Sequence, residues 1–302
     1  MSGAPPSGEQ HELRCGAQLA VVTEVGACLR VYRAGERELI DGFALDEHAE
    51  GARGQALIPW PNRIRDGRYA WDGETHQLDL TEAPRGNAIH GLVRWRSWRV
   101  LDHGPAHVAL GIRLHPMPGY WFALELTVTY RLGADGLEVT TRAENIGARA
   151  CPYGVGFHPY LSIGGPIDAG CLRVPARARL VLDEGAIPTG SRPVAGTPFD
   201  FRVPRALGSM VLDDCFCELE RDGDGRARIA LAGEKRAVVL WCDEAYRYVM
   251  VFSGDTLPAR LRRRGLAVEP MSCAPNGFAS GEGRVRLEPG QVHVASWGIE
   301  QA

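Results

Sequence analysis

The sequence predicts an all-β fold, a large antiparallel β-sandwich. Apolar and polar residues alternate with a period of two through segments 108–114 and 124–132, which is typical of strands with one buried face. Helical periodicity is nearly absent, and the 37 glycines and 20 prolines fit a chain with many turns. Strands that follow one another without intervening helices favour a sandwich or a barrel.

The individual elements follow from the same pattern. The turn residues Gly133-Ala134-Asp135-Gly136 stand between two extended segments and predict a hairpin. The Pro- and Gly-rich stretch 185–204 is expected to be a long loop over one edge of the sandwich. Further candidate strands are 137–141, 180–182, 228–231, 237–241, 248–252, 266–269, 284–287 and 293–297.

The chain is expected to form one domain. Its 302 residues could make two, but all-β chains of this size often fold as one unit, and no repeat or linker divides the sequence. The beginning of segment 1–11 consists of Gly, Pro and Ser with no apolar run, so this segment is expected to be a disordered tail. Residues 12–302 are then the single β-sandwich domain.

Composition excludes several classes of function. A net charge of −3 gives no indication of a nucleic-acid surface, and the run Arg262–Arg264 is expected to be a solvated loop. No signal peptide is expected at the start of the sequence, and no apolar stretch is long enough to predict a bilayer-spanning segment. Eight scattered cysteines without a C-x-x-C pair indicate reduced, mostly buried thiols in a cytoplasmic protein.

Four segments place polar or ionisable side chains inside apolar, turn-rich sequence. Taken alone, each also has a structural interpretation: a surface turn, a satisfied histidine, an apolar rim or a strand end in water. The segments are 59–64 with Asn62 and Arg63, 87–91 with His90, 154–160 with His158, and 268–271 with Glu269.

Carboxylates carry the clearest chemical indication. Glu269 ends an apolar strand, where a carboxylate must be paired or have a raised pKa, and a raised pKa makes it a useful base near neutral pH. Asp213 and Asp214 are adjacent on an extended chain and therefore point to opposite faces. At most one of these two can face a given cleft.

Together the segments resemble the aldose 1-epimerase, or galactose mutarotase, family. Pro-Asn-Arg-Ile, Asn-x-x-His-Gly, Gly-Phe-His-Pro-Tyr, Asp-x-x-Phe and a late Glu-Pro occur in the family's order between Pro61 and Pro270. The flanking sequence is similar to a bacterial mutarotase-like branch that includes a sulfoquinovose mutarotase. The resemblance implies the galactose mutarotase-like supersandwich and an enzyme that interconverts the α and β anomers of a free aldohexose.

The resemblance also implies roles for individual residues. His158 matches the general acid and Glu269 the general base. The matching sugar-binding residues are Asn62, Arg63, His90 and Asp213. No metal and no organic cofactor is implied, and the expected partner is a small-molecule sugar. The expected assembly is a monomer or a homodimer, with no nucleic acid or membrane.

One departure leaves the substrate open. Some family members carry a glutamine near the place of Met250, so the hydroxyl contact of that glutamine is missing here or supplied elsewhere. A mutarotase specific for a sulfonated hexose is therefore one alternative. The other on the same fold is a non-catalytic carbohydrate-binding protein, which need not keep both His158 and Glu269.

Two further classes fit the residues less well. A glycosidase needs two carboxylates that flank one bond, and Asp213 with Glu269 would leave the histidines unexplained. A metal enzyme usually has closely spaced histidines, and only His103 and His107 are so spaced. Those two lie beside Gly104-Pro105, which predicts a solvated turn.

Overall fold

The computed structural model describes residues 3–234 and 237–301. Its strands are β1 (Gln10–Cys15), β2 (Gln18–Thr23), β3 (Cys28–Ala34), β4 (Arg37–Glu38), β5 (Ala56–Leu57), β6 (Arg63–Arg65), β7 (Arg68–Trp71), β8 (Glu74–Gln77), β9 (Asn87–Ile89), β10 (Arg99–Gly104), β11 (His107–Leu114), β12 (Leu124–Gly133), β13 (Gly136–Asn145), β14 (Cys151–Tyr153), β15 (Gly156–Phe157), β16 (Tyr160–Leu161), β17 (Cys171–Arg173), β18 (Ala176–Leu182), β19 (Pro188–Pro193), β20 (Arg205–Ala206), β21 (Asp213–Leu219), β22 (Ala227–Ala232), β23 (Ala237–Cys242), β24 (Tyr248–Phe252), β25 (Leu266–Met271), β26 (Val285–Leu287) and β27 (Val292–Gln301). Helical structure in these residues is one short helix, α1 (Gly277–Ser280), and 3-10 turns at Glu50–Ala52, Ala83–Arg85 and Ile167–Ala169.

Two large antiparallel sheets form the sandwich. One has nine strands in the order β10-β11-β12-β13-β27-β23-β22-β17-β20, and the other has eight, in the order β19-β18-β21-β24-β25-β15-β5 with β16 paired to β25. A four-stranded sheet, β1-β2-β3-β4, precedes them, and β6-β9, β7-β8 and β14-β26 form two-stranded sheets. The predicted all-β sandwich with little helix is therefore confirmed.

The core lies between the two large sheets. Val128 of β12 and Val251 of β24 belong to the same buried cluster, and each is 0% exposed. Phe157 contacts Trp297 across the interface, with ring centroids 5.2 Å apart. Each fully buried apolar side chain of this kind stabilises the fold by about 1.5–3 kcal/mol. The period-two alternation in the sequence thus corresponds to inward-facing residues.

The predicted turn at 133–136 is confirmed, since Gly133 pairs with Gly136 at the end of the β12–β13 hairpin. The expected loop 185–204 is wrong in part, because β19 lies inside it and pairs with β18 at the edge of the eight-stranded sheet. All but one of the β19 residues are exposed. An exposed edge strand that begins and ends with proline has no apolar alternation to reveal it.

The amino-terminal segment differs from its prediction. Residues 1 and 2 lie outside the described part, but Ser7 and His11 are each 6% exposed, and β1 begins at Gln10. Gln10 Nε2 donates to Ser7 Oγ at 3.0 Å, so this stretch is packed where a disordered tail was expected.

All eight cysteines are free, and six of them are buried. Within residues 3–234 and 237–301, no helix has the length and apolar character needed to cross a bilayer.

The eight-stranded sheet has one face toward the core and one toward a cleft. Side chains alternate along β21, so Phe216 enters the core while Asp213 lies on the opposite face. Asp214 shares the core-side face and pairs with Arg179 at 2.7 Å. The prediction that the two adjacent acids separate is confirmed, and Asp213 is the one that reaches the cleft.

Candidate active site

A cleft of about 690 Å³ brings together all six residues singled out in the sequence. Its volume lies in the range usual for small-molecule sites. A second cavity of about 740 Å³, lined by Cys217, Tyr248 and Ala274 among others, contains none of the six. The residues that could carry chemistry therefore place the candidate active site in the cleft and not in the second cavity. The six residues are Asn62, Arg63, His90, His158, Asp213 and Glu269.

His158 and Glu269 meet inside this cleft. His158 Nε2 lies 3.2 Å from Glu269 Oε1. The two residues are 5% and 2% exposed, and Glu269 Oε2 has no hydrogen-bond partner among the described residues although it is buried. A catalytic role is one explanation for a buried polar atom that has no partner.

Burial shifts the two groups in opposite directions. Burial raises the pKa of Glu269 well above its usual value, the charge of Asp213 raises it further, and Arg63 opposes both. Burial lowers the pKa of His158 to about 3, and the charge of Arg94 adds to this lowering. In the free protein the pair therefore favours an uncharged state, in which the Glu269 carboxyl group is protonated and the His158 imidazole is neutral.

Backbone contacts position His158. It lies between β15 and β16, where Pro159 has no N–H to continue the ladder. Its N–H donates to Gln55 O at 3.2 Å, and its carbonyl accepts from Gly54 N at 2.9 Å. Tyr160 stacks on the imidazole with ring centroids 5.0 Å apart, and its hydroxyl donates to Gly51 O. The ring therefore has a fixed orientation in the cleft.

His90 is held by the loop that contains Asn62. Both residues have positive φ, 63° and 55°, and His90 N donates to Asn62 O at 2.9 Å. In return, Asn62 N donates to His90 Nδ1 at 3.2 Å. Burial lowers the pKa of His90 well below its usual value, so the ring is neutral and its proton is on Nε2. Glycine is required beside His90, since a Cβ on Gly91 would lie 2.1 Å from Ile58 O.

Arg63 is fixed by a carboxylate. Its Nε and Nη2 donate to the two oxygens of Glu82 at 2.8 and 2.9 Å, and Asn87 Nδ2 donates to Glu82 at 3.1 Å. Asn62 Oδ1 accepts from the Arg63 backbone N–H at 3.0 Å. Burial raises the pKa of Asp213, and the charge of Arg63 opposes that shift. Arg63 is therefore paired with the carboxylate of Glu82 and also interacts with the charge of Asp213.

Met250 lies beside the predicted base. It pairs with Glu269 across β24 and β25 and with Cys215 across β21 and β24, so the three side chains share the cleft-side face. Met250 is 1% exposed and packs in an apolar cluster with Cys215 and Tyr248. A thioether is only a weak hydrogen-bond acceptor, and the hydroxyl contact of a glutamine is absent from this position.

One set of donors in the cleft has the chemistry of a metal site. Ligand atoms of His90, His158 and Glu269 lie within 4.8 Å of one another. Two imidazoles and a carboxylate are a donor set that zinc accepts. The charges of Arg63 and Arg94 reach both histidines, and nearby cations oppose the binding of a divalent ion. The prediction of no metal stays a prediction.

His103 and His107, whose spacing was considered in the sequence, are on the β10–β11 hairpin, where His107 pairs with Asp102.

Comparison with known proteins identifies the family. The family model for aldose 1-epimerase matches residues 9–300. The chain belongs to the aldose 1-epimerase family. It is 34% identical to the uncharacterized protein YihR of Escherichia coli (strain K12) over 289 residues, 95% of this chain and 91% of that protein. It is 30% identical to the galactose mutarotase of Sus scrofa over 231 residues, 69% of this chain and 64% of that enzyme.

Solved structures of epimerase relatives share the fold. The GalM/aldose epimerase homologue from C. elegans aligns with a TM-score of 0.86 at 19% identity, covering 97% of this chain and 98% of that one. Galactose 1-epimerase from Lactobacillus acidophilus NCFM aligns with a TM-score of 0.79 at 20% identity, covering 96% and 94%. The predicted galactose mutarotase-like sandwich is therefore confirmed.

Sequence reasoning missed residues that support the candidate cleft. Glu82 fixes Arg63, Gln55 accepts from His158, and Tyr160 stacks on the same imidazole. Tyr160 stood inside a quoted motif, so its proximity to His158 was open to prediction. Glu82 and Gln55 gave no such indication, because their partners are distant in the chain.

Proposed function

We propose that this member of the aldose 1-epimerase family interconverts the α and β anomers of a free aldohexose, with Glu269 as base and His158 as acid. The observation that carries the proposal is the 3.2 Å contact between His158 Nε2 and Glu269 Oε1 inside the cleft. A base and an acid this close reach the two oxygens of one anomeric centre. Those oxygens are the hydroxyl on C1 and the ring oxygen.

The reaction moves two protons and breaks one bond. Glu269 takes the proton of the anomeric hydroxyl while His158 gives a proton to the ring oxygen, and the bond between C1 and the ring oxygen breaks. The open-chain aldehyde rotates about C1–C2. The ring then closes on the other carbonyl face as the two residues exchange roles. General acid–base assistance of this kind is worth about 100- to 10,000-fold.

The chemistry keeps one proton on the pair throughout. In the free protein, burial places that proton on Glu269, whereas ring opening begins with it on His158. The two arrangements have the same proton count, so they interconvert without exchange with the solvent. Sugar hydroxyls that donate to Glu269 stabilise its ionised form and favour the reactive arrangement.

The remaining cleft residues suit a polyhydroxylated ligand. His90 offers a neutral Nε2–H, because its Nδ1 accepts from Asn62 N. Arg63 keeps N–H groups beyond the two that Glu82 engages, and Asp213 offers an acceptor. In this proposal Asn62 acts mainly by positioning Arg63 and His90. Its place among the sugar contacts is a prediction.

Anomeric exchange of freshly dissolved single-anomer sugars tests the proposal. Polarimetry or NMR would follow α-glucose, α-galactose and a sulfonated hexose, with and without protein. We expect acceleration by the protein and its loss in His158→Asn with sugar binding retained. Binding without acceleration of any sugar would support a non-catalytic sugar-binding protein instead. Hydrolysis of an aryl glycoside would support a glycosidase.

A further inference from the structure

The His158 imidazole is not held by a hydrogen bond at its second nitrogen. Its Nε2 faces Glu269, but Nδ1 is buried and has no hydrogen-bond partner on another residue in the described part of the chain. A catalytic imidazole is often oriented by a hydrogen bond at the nitrogen that takes no part in proton transfer. The orientation of this ring therefore depends on the side chains that pack against it.

Tyr160 makes the stacking contact with the imidazole. The two rings are nearly parallel, at 16°, with centroids 5.0 Å apart, whereas the His90 ring meets the imidazole at 77°. Parallel stacking restrains the tilt of a ring, because tilting drives its atoms into the neighbouring ring. The orientation of the acid is therefore linked to the position of the Tyr160 ring.

A buried arginine contacts the same phenol ring. The guanidinium carbon of Arg53 lies 4.3 Å from the Tyr160 ring centroid, and Arg53 is 2% exposed. Its Nε and Nη2 donate to Asp41 Oδ2 at 3.3 and 3.1 Å, and its Nη1 donates to Glu50 O at 2.9 Å. A guanidinium over an aromatic face is attracted to it, more strongly when water is excluded. Arg53 thus holds the Tyr160 ring, while hydrogen bonds set its own position.

The ion pair of Arg53 with Asp41 is weak evidence for a purely stabilising role. The two residues are 2% and 9% exposed, so both charges lose most of their hydration. Replacing a buried ion pair by apolar side chains of similar volume often leaves stability unchanged or increases it. Arg53 does not line the cleft and cannot contact a sugar there, whereas Tyr160 does line it. An effect of Arg53 on the reaction must therefore pass through Tyr160 or through the field of its charge.

The segment that carries Arg53 also holds the backbone of the acid. Gly54 N donates to His158 O at 2.9 Å, and His158 N donates to Gln55 O at 3.2 Å. Three consecutive residues thus reach the acid through its main chain and through its ring. Burial lowers the pKa of His158, and the charges of Arg94 and Arg53 add to this lowering.

We propose that Arg53 is a positioning residue, which acts on the His158 imidazole through the Tyr160 ring. Asp41 anchors its guanidinium. The inference rests on the proposed epimerase function and adds a residue that holds the acid from outside the cleft. A misplacement of about 1 Å in a catalytic group can lower the rate by about 100-fold, so Arg53 should affect kcat more than KM.

Anomeric exchange of α-glucose and α-galactose tests the proposal. Arg53→Met keeps a side chain of similar length but removes the cation. We expect kcat to fall by about 10-fold or more while KM stays within about threefold of the wild type. Arg53→Lys should restore part of kcat, because it keeps the charge without the planar guanidinium. Wild-type kcat in Arg53→Met overturns the proposal.

Two further variants separate positioning from folding. Arg53→Met removes the buried partner of Asp41, whose carboxylate also pairs with Arg264 at 2.7 Å. Combining it with Asp41→Asn removes both buried charges, and the double variant should keep the low kcat at a near wild-type Tm. Arg264→Gln is the matched control, because that side chain is 54% exposed, and it should keep wild-type kcat. Recovery of wild-type kcat in the double variant would make the ion pair structural and overturn the proposal.

The pH profile gives a result that a structural role would not change. Within the described residues, the titratable and charged groups that reach the imidazole are Glu269 at 3.2 Å, the rings of His90 and Tyr160, and the cations Arg94, Arg53 and Arg63. A nearby cation destabilises the imidazolium, so its removal in Arg53→Met raises the pKa of His158. The fall in rate on the acid side should move to higher pH in this variant and stay in place in Arg264→Gln. An unmoved acid side in Arg53→Met contradicts the proposal.

Nitrogen NMR of the histidine rings separates this inference from the proposed function, because it requires no turnover. His158→Asn assigns the ring signals of His158. If no sugar is exchanged but Arg53→Met shifts these signals and raises the pKa of the ring, the epimerase proposal fails and the positioning role stands. If the wild type exchanges sugar and Arg53→Met changes neither kcat nor the ring signals, the positioning role fails and the epimerase proposal stands.

Discussion

Replacing Glu269 by glutamine should separate activity from stability. The variant keeps the shape of a side chain that is 2% exposed but removes the proton that the reaction moves. Turnover should fall by about 100-fold or more. His158→Asn should have a comparable effect, and the double variant should lose little beyond either single one, because both interrupt one coupled transfer.

The same substitution should stabilise the fold above pH 4.5. Burial raises the pKa of Glu269 well above that of the unfolded chain, where it is 4.5. Between 4.5 and the folded pKa, the unfolded state has lost its proton while the folded state keeps it. The wild-type free energy of unfolding therefore falls with rising pH, by up to about 1.4 kcal/mol per unit from this group. Glutamine has no proton to lose and escapes this penalty.

Thermal unfolding of wild type and Glu269→Gln between pH 4.5 and 9 measures the effect. The difference in Tm should favour the variant and widen with pH. Glu138→Gln is the control, because Glu138 is exposed on β13. A variant that is less stable than wild type across this range would refute the reasoning, since Glu269 would then be a stabilising anion in the folded state. Near-normal turnover in the variant would remove Glu269 from the catalytic pair.

The turnover rate plotted against pH should give a broad bell. The rate should fall on the acid side near the lowered pKa of His158, about 3, and on the alkaline side above the usual pKa range of a glutamate. A narrow bell between pH 4.5 and 6.5 would contradict this prediction. Arg63→Ala and Asp213→Ala should each raise KM by roughly 10- to 100-fold, with a smaller effect on kcat, in steady-state exchange assays. Dialysis against a chelator should leave turnover unchanged, and restoration by zinc alone would instead assign a metal to His90, His158 and Glu269. Limited proteolysis should leave one stable product that spans most of 12–302, whereas two stable halves would divide the proposed single domain.

The sequence predicts this fold well because most strands bury one face. β12 alternates buried and more exposed residues along nearly its whole length, and the same alternation marks its hairpin partner β13. β19 escaped prediction because it lies at a sheet edge with little burial on either face. The interior packing therefore determines which strands can be predicted from the alternation of apolar and polar residues.

The candidate site was only partly open to prediction. The six residues came from motifs whose order resembles the family, and the structure gathers all six in one cleft. Their environment depends on contacts between distant segments, such as Arg63 with Glu82 and Arg94 with Gln55. Usual pKa values predict a protonated His158 beside an ionised Glu269. Burial reverses that preference in the free protein, and the extent of burial is a property of the folded chain.

The rigidity of the acid and the base bears on how the sugar must move. Glu269 is on β25, which has β24 on one side and β15 and β16 on the other, and His158 stands between those two short strands. Neither group can follow C1 when the open chain turns, so the aldehyde must rotate between fixed partners. The rest of the sugar has to stay in place while it does so. Contacts away from C1, from Arg63 and Asp213 in this proposal, therefore contribute to turnover as well as to binding.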